Sequence, residues 1–207
     1  DPASGTVAVI EAARVMAQNS GPRTHTIRFA LWGIEEIGLI GSTAYVAQHP
    51  EEMDRIRFYF NMDAAGGPRR KDVALNEWPD LEPVFQAWRQ SMALDFSVGQ
   101  SVSAHSDHYP FLMAGVPTGG METVERDLSG RGYGHTRYDT LDKVGERGLR
   151  EAAALAARLA LRIADQTEWP VARRGQEAVA ALFDKPQYQE EAEIFAQIKA
   201  YKETLRS

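Results

Sequence analysis

Apolar positions along the chain switch repeatedly between a helical spacing and short continuous runs. Val7, Ile10, Ala13 and Val15 to Met16 keep the helical period to Gln18, with Ser4 placed to cap the first turn and Asn19, Ser20, Gly21 and Pro22 placed to stop it. Ile27 to Gly33 and Ile56 to Met62 are short, apolar and β-rich, which predicts strands buried on both faces, and Ser42 to His49 predicts the helix between them. The alternation continues with a helix over Leu81 to Met92, a weak strand at Phe96 to Val98, a helix start at Ser106 to Met113 and a strand at Gly115 to Met121. Leu149, Ala152, Ala156, Leu159 and Ile163 then mark a long amphipathic helix. Beyond Trp169 and Pro170 lies a charged helical tail whose apolar turns are Ala178 to Phe183 and Ile194 to Tyr201; it is expected to pack on the domain or a partner. Helices alternating with strands imply an α/β fold, and no internal repeat is present. Val124 to Tyr138 has no period and is rich in Gly, Arg and Asp, a loop longer than connections of about 4 to 6 residues and therefore a place to look for function.

Composition narrows the classes. With 207 residues, 43% hydrophobic and 25% charged, the chain has enough apolar material for one core. A net charge of -6 without a basic run argues against nucleic acid as a partner. No apolar stretch approaches the roughly 18 to 20 residues that span a bilayer. With no cysteine, disulfides, thiolate metal sites and cysteine nucleophiles are excluded, while the compartment stays open.

The chemistry sits where the predicted strands end. Ligands of open α/β sheets gather at the carboxyl ends of strands, where Glu35 and Glu36 follow one strand and Asp63 the next. Carboxylates brought together there repel one another and lose hydration, so the cluster calls for a cation or a strongly raised pKa, the cation being the simpler answer. Adjacent glutamates in an extended loop cannot both aim at one point, so one can bind metal while its neighbour acts as general base on a water. His135, in the glycine-rich loop, can add an imidazole, giving a carboxylate and histidine set that Zn2+ accepts without thiolate. Each residue alone has a plainer role: a Glu-Glu pair is usually solvated, Asp63 can form a turn or cap, and a lone histidine is most often an ordinary one.

Five segments carry a more specific signal through their order. They are Asp1-Pro2-Ala3-Ser4-Gly5, the run Phe29-Ala30-Leu31-Trp32-Gly33-Ile34-Glu35-Glu36 continuing to Ser42, Asn61-Met62-Asp63, Ser106-Asp107-His108 with Gly115-Val116-Pro117, and Gly134-His135-Thr136 followed by Asp139 to Val144. Together they resemble the M28 family of metallo-aminopeptidases over residues 1 to about 166. The resemblance implies a three-layer α/β/α sandwich with a mixed, largely parallel central sheet, its N-terminal strands missing here. It divides the chain into a catalytic domain over 1–168 and a helical C-terminal extension over 169–207. By the same resemblance Asp1 bridges two zinc ions, Glu36 and His135 complete one of them, Asp63 serves the other, and Glu35 is the general base acting on a water that attacks the first peptide bond. An acidic pocket near the metals would hold the free α-amine of a peptide substrate. Asp107 and His108 would stand behind the ligands and steady them. The family's bridging aspartate is commonly followed by a cis bond, which proline makes accessible at about 0.5 to 1 kcal/mol, so Asp1-Pro2 is expected to be cis.

The chain also departs from the pattern. The family places a ligand in a His-x-Asp segment before the bridging aspartate, and none of His25, His49, His105 or His108 stands there, so the second zinc lacks one histidine. The chain thus reads as the C-terminal portion of a larger enzyme, whether fragment, processed product or incomplete gene model, with exposed sheet edges and an upstream segment of the parent chain as its natural partner. Gly134 stands where many members carry a substrate-facing tyrosine, a role Tyr133 or Tyr138 can take instead. The resemblance also suggests an extracellular, periplasmic or membrane-attached parent. A carboxypeptidase or glutaminyl cyclase on the same scaffold, and a non-catalytic scaffold or binding protein, are the competing functions; the presence of Glu35 speaks against the last.

Overall fold

The computed structural model describes residues 2–18, 21–67, 71–123 and 133–204. Its sheet has four strands, β1 (Tyr59–Asn61), β2 (Lys71–Leu75), β3 (Val98–Gln100) and β4 (Thr118–Thr123), in the spatial order β1-β4-β2-β3. β1 runs parallel to β4 and β2 parallel to β3, while β2 and β4 are antiparallel with Val73 opposite Met121. The sheet is therefore mixed and mostly parallel, as expected.

Helices cover both of its faces. α1 (Pro2–Ala17) buries Ala8, Ala12 and Met16 near Ala152, Ala153, Ala156 and Ala157 of α5 (Glu146–Asp165), small residues that let the two helices approach closely. The other apolar positions of α5, Leu155, Leu159 and Ile163, pack with Phe85 and Trp88 of α3 (Glu82–Met92) and with Val73, Leu75 and Val98 of the sheet. On the opposite side lie α2 (Ile40–Gln48) and α4 (His108–Met113), where Phe111 stacks on Tyr59 with ring centroids 4.3 Å apart. The period of two along the second strand run is thus visible in its packing: Phe58, Phe60 and Met62 contact the α1, α3 and α5 side, and Tyr59 contacts the α4 side.

The tail forms α6 (Gln176–Phe183) and α7 (Gln189–Thr204), and Val179, Leu182, Phe183 and Tyr188 share a buried cluster with Leu39, Tyr109 and Leu112. Glu77, in the left-handed region at φ 60°, is the polar anchor for this tail. Its carboxylate takes Lys185 Nζ at 2.6 Å and the Tyr188 hydroxyl, and its carbonyl accepts from the Arg174 guanidinium.

Several expectations need correction, and one strand is new. Ile27 to Gly33 is not a strand: it pairs with no strand among the described residues and borders a groove, with Phe29 and Leu31 exposed at 43% and 56%. Apolar, β-rich content predicts extension, but a strand also needs a neighbour to bond to. β2 was not foreseen, because it opens on Lys71 and Asp72 and owes its identity to pairing with β3 and β4. β3 and β4 begin two to three residues later than predicted; before β4, Gly115 makes a turn at φ 81° and Pro117 lacks the donor a ladder needs. Ser4 lies inside α1 rather than capping it, since the helix already starts at Pro2, and its Oγ instead accepts from Ala65 N at 2.9 Å.

Candidate functional site

The Glu35 loop is a tight, internally bonded turn. Ile34 takes φ 61°, unusual for a β-branched residue, and the amides of Gly38 and Leu39 both donate to the Glu35 carbonyl at 2.9 Å. Gly41 donates to Gly33 O at 3.1 Å, an approach that leaves no room for a side chain because a Cβ on Gly41 would lie 2.7 Å from that oxygen. The loop thereby holds Glu35 half-buried and Glu36 exposed.

The second wall is the end of β1. Alternation along the strand puts Tyr59, Asn61 and Asp63 in step, and these join a chain of bonds that starts at Trp32. Trp32 Nε1 donates to the Tyr59 hydroxyl at 2.9 Å, which donates to Asn61 Oδ1 at 3.1 Å; Asn61 Nδ2 donates to Ser106 Oγ at 2.7 Å, which donates to Asp63 Oδ2 at 2.6 Å. A groove of about 790 Å³ between residues 25–32 and β1 has Glu35, Asp63, Ser106 and Asp107 in its lining.

Electrostatics identify the place where charge is unbalanced. Desolvation, followed by the charges of Asp63, Asp107 and Glu36, pushes the Glu35 carboxyl up to about 7. Asp107 is raised as well, by burial first and then by Asp63, against a hydrogen bond from Ser42; its Oδ1 is buried with no partner among the described residues. Among the described residues, the charges that act on these two carboxyls are those of other carboxylates. His135 is brought to this loop from the far end of the chain, with Nε2 3.0 Å from Glu36 Oε2. It too takes a left-handed backbone, at φ 59°.

Not every expected residue converges. Asp1, its peptide bond to Pro2, and residues 124–132 of the long loop lie outside the described residues. Glu36 and His135 meet, but Asp63 does not close a triple with them: among the described residues the one set of His, Asp and Glu donors lying within 4.8 Å of one another is His49, Glu51 and Glu52. There Glu52 is already held by Arg28 Nη1 at 2.6 Å and by the Tyr45 hydroxyl. Tyr133 and Tyr138 are half-exposed, with Lys143 Nζ 5.2 Å from the ring of the first and the Arg137 guanidinium carbon 4.8 Å from that of the second. Trp32, Tyr59, Asn61 and Ser106 had no assigned role in the sequence; the one available signal was the polar alternation Tyr59, Asn61, Asp63 leaving an otherwise apolar run.

His108 is buried, its Nε2 has no partner among the described residues, and burial drives the ring down to about 4 against a hydrogen bond to the Ser103 backbone. The folded state therefore resists a proton that the unfolded chain accepts near its ordinary 6.5. Stability from this group is complete above that value and declines as pH falls toward 4, by up to roughly 3 kcal/mol. Denaturant titrations from pH 7 to 4 should show His108→Gln with a shallower loss than the parent; an identical slope would remove His108 as the cause.

Comparison with known proteins gives the family. The sequence model of peptidase family M28 matches residues 1–160 of the chain. The chain belongs to peptidase family M28. Leupeptin-inactivating enzyme 1 of Streptomyces exfoliatus is 34% identical over 122 residues, 58% of this chain and 28% of that protein. The probable lipoprotein aminopeptidase LpqL of Mycobacterium tuberculosis is 32% identical over 139 residues, 58% of this chain and 27% of that protein. Among solved structures, BSAP, a zinc aminopeptidase from Bacillus subtilis, superposes with a TM-score of 0.63 at 26% identity, covering 80% of this chain and 44% of its own. The M28 chain thus spans less than a third of each of these two curated relatives.

Proposed function

We propose that this M28 chain carries catalytic machinery of a zinc-dependent exopeptidase that removes residues from the amino ends of peptides. The observation behind this reading is the Glu35 carboxyl, raised to about 7 among Asp63, Asp107 and Glu36 with His135 against Glu36. Carboxylates that raise one another, joined by an imidazole and free of thiols, are a donor set suited to zinc. Glu36 and His135 would hold one ion, Asp63 the other and Asp1 both, with a His-x-Asp segment of the parent chain supplying the remaining imidazole. Bound zinc would lower the pKa of water and polarise the scissile carbonyl.

The chain's own groups do the rest. Glu35 takes the proton of the attacking water on its carboxylate and passes it to the nitrogen of the leaving amine. Asp107, a carboxylate in the groove lining assigned to neither ion, favours a substrate end bearing an ammonium over one bearing a carboxylate, which supports amino-terminal over carboxy-terminal trimming. Residues 1–168 form the catalytic unit in this reading and 169–207 a helical extension held through Glu77. The likeness to a lipoprotein aminopeptidase supports a secreted or membrane-attached parent; no described helix is long and apolar enough to cross a membrane.

The test is metal analysis with peptidase assays on this chain and on a version extended upstream. The short form should retain a single tight zinc with little activity, and the extended form two zincs with hydrolysis of free but not amino-blocked peptides. Equal activity in both forms would refute the ligand assignment, and cleavage of blocked peptides at the same rate would refute the amino-end preference.

A further inference from the structure

The hydrogen bonds from Trp32 to Asp63 have only one possible direction. An indole N–H can only donate and an ionised carboxylate can only accept, so the groups between them must each pass a donor forward. With Trp32 Nε1 donating to its oxygen, the Tyr59 hydroxyl places its single proton on Asn61 Oδ1. That choice fixes the Asn61 amide, whose Nδ2 then faces Ser106 Oγ, and Ser106 is left to place its own single proton on Asp63 Oδ2. Ser106 is buried at 9% exposure, so water has little access to replace either partner. Trp32 stands three residues before Glu35 on one wall of the groove, while Asp63 ends the other wall.

We propose that Tyr59, Asn61 and Ser106 are positioning residues: a one-way donor chain running from Trp32 commits Asp63 Oδ2 to the protein, thereby setting the carboxylate for a divalent cation and tying the Asp63 turn to the loop that carries Glu35. This rests on the reading of Asp63 as a zinc ligand. Tyr59 is the switch in the chain. Without its hydroxyl, Asn61 can turn its amide over and present Oδ1 to Ser106, whose proton then leaves Asp63. Removing the Ser106 hydroxyl leads to the same end, a carboxylate oxygen without its donor. Groups that orient metal ligands commonly change affinity by about 10- to 100-fold when removed.

Tyr59→Phe keeps the ring that stacks on Phe111 and deletes only the hydroxyl, so it separates the bond from the packing. Zinc affinity of the upstream-extended protein, measured by chelator competition, should fall about tenfold at one of its two sites, the one Asp63 serves, in Tyr59→Phe and in Ser106→Ala. In the double variant it should fall no further than in the more affected single, because both break the same chain. Losses that multiply, or no loss in Tyr59→Phe, would overturn the proposal. A second measurement needs no metal. The side-chain amide resonances of Asn61 in the zinc-free protein should move in Tyr59→Phe, which a pure packing role for the ring would not cause, and unmoved resonances overturn the donor chain. Failure of the parent protein to bind a second zinc would instead overturn Asp63 as a ligand, so the two failures are told apart.

Discussion

Glu35→Gln in the zinc-loaded, upstream-extended enzyme is expected to lower kcat by about 10² to 10⁴-fold, the range a positioned general base contributes, while metal content stays that of the parent. Glutamine keeps the shape and the hydrogen-bonding reach of the side chain but has no carboxylate to take a proton. The metal should remain because the pair that would hold it is Glu36 with His135, 3.0 Å apart, and not Glu35. Without a cation, burial and the neighbouring carboxylates hold the Glu35 carboxyl near 7, well above an ordinary surface glutamate. A bound cation adds an opposite charge and lowers that value again, so the site would hold Glu35 as carboxylate when loaded and resist its ionisation when empty. Steady-state assays with metal analysis on the same samples decide the matter. Turnover within tenfold of the parent would remove Glu35 from the chemistry, and loss of zinc along with turnover would make it a ligand instead.

What could be read from the residues depended on whether the signal was local. α3 and α5 follow from their own apolar periods, since a helix makes its backbone bonds within itself. The acidic loops were visible because carboxylates at the ends of apolar runs are out of place unless something uses them. Strands were harder: Ile27 to Gly33 has the composition of a strand and no ladder among the described residues, while Lys71–Leu75 begins with two charged residues and has two neighbours. Both outcomes turn on partners remote in sequence. The same holds for the donor chain, in which Trp32, Tyr59 and Ser106 are commonplace singly and acquire a role only once the turns after β1 and before α4 meet. The meeting of Glu36 with His135 was anticipated, whereas the tail's attachment to Glu77 left no trace in any local pattern.

Gly5→Ala should be the most damaging conservative change in α1, against the usual rule that alanine stabilises a helix interior by up to about 1 kcal/mol over glycine. A Cβ at position 5 would lie 1.9 Å from the carbonyl oxygen of Asp63, 2.3 Å from that of Met62 and 2.8 Å from the Asp63 carbonyl carbon. All three atoms are backbone, so no flexible side chain can swing aside; either α1 or the 62–63 turn must shift. α1 is pinned from behind by Ala152 and Ala156 of α5, and from the front by Ala65 N donating to Ser4 Oγ at 2.9 Å. The turn is the more movable of the two, and it carries Asp63. Overpacking of this kind costs about 1 to 3 kcal/mol or more, which for a chain of this size lowers Tm by roughly 2 to 12 °C. If Asp63 holds zinc as proposed, the displaced turn should also weaken that binding even at temperatures where the variant stays folded. Gly99→Ala is the control, since nothing lies within 4 Å of a Cβ there, and its Tm should match or slightly exceed that of the parent. An unchanged Tm and unchanged zinc content in Gly5→Ala would mean that α1 does not press its backbone against the Asp63 turn, and the part proposed for this close approach in placing Asp63 would have to be abandoned.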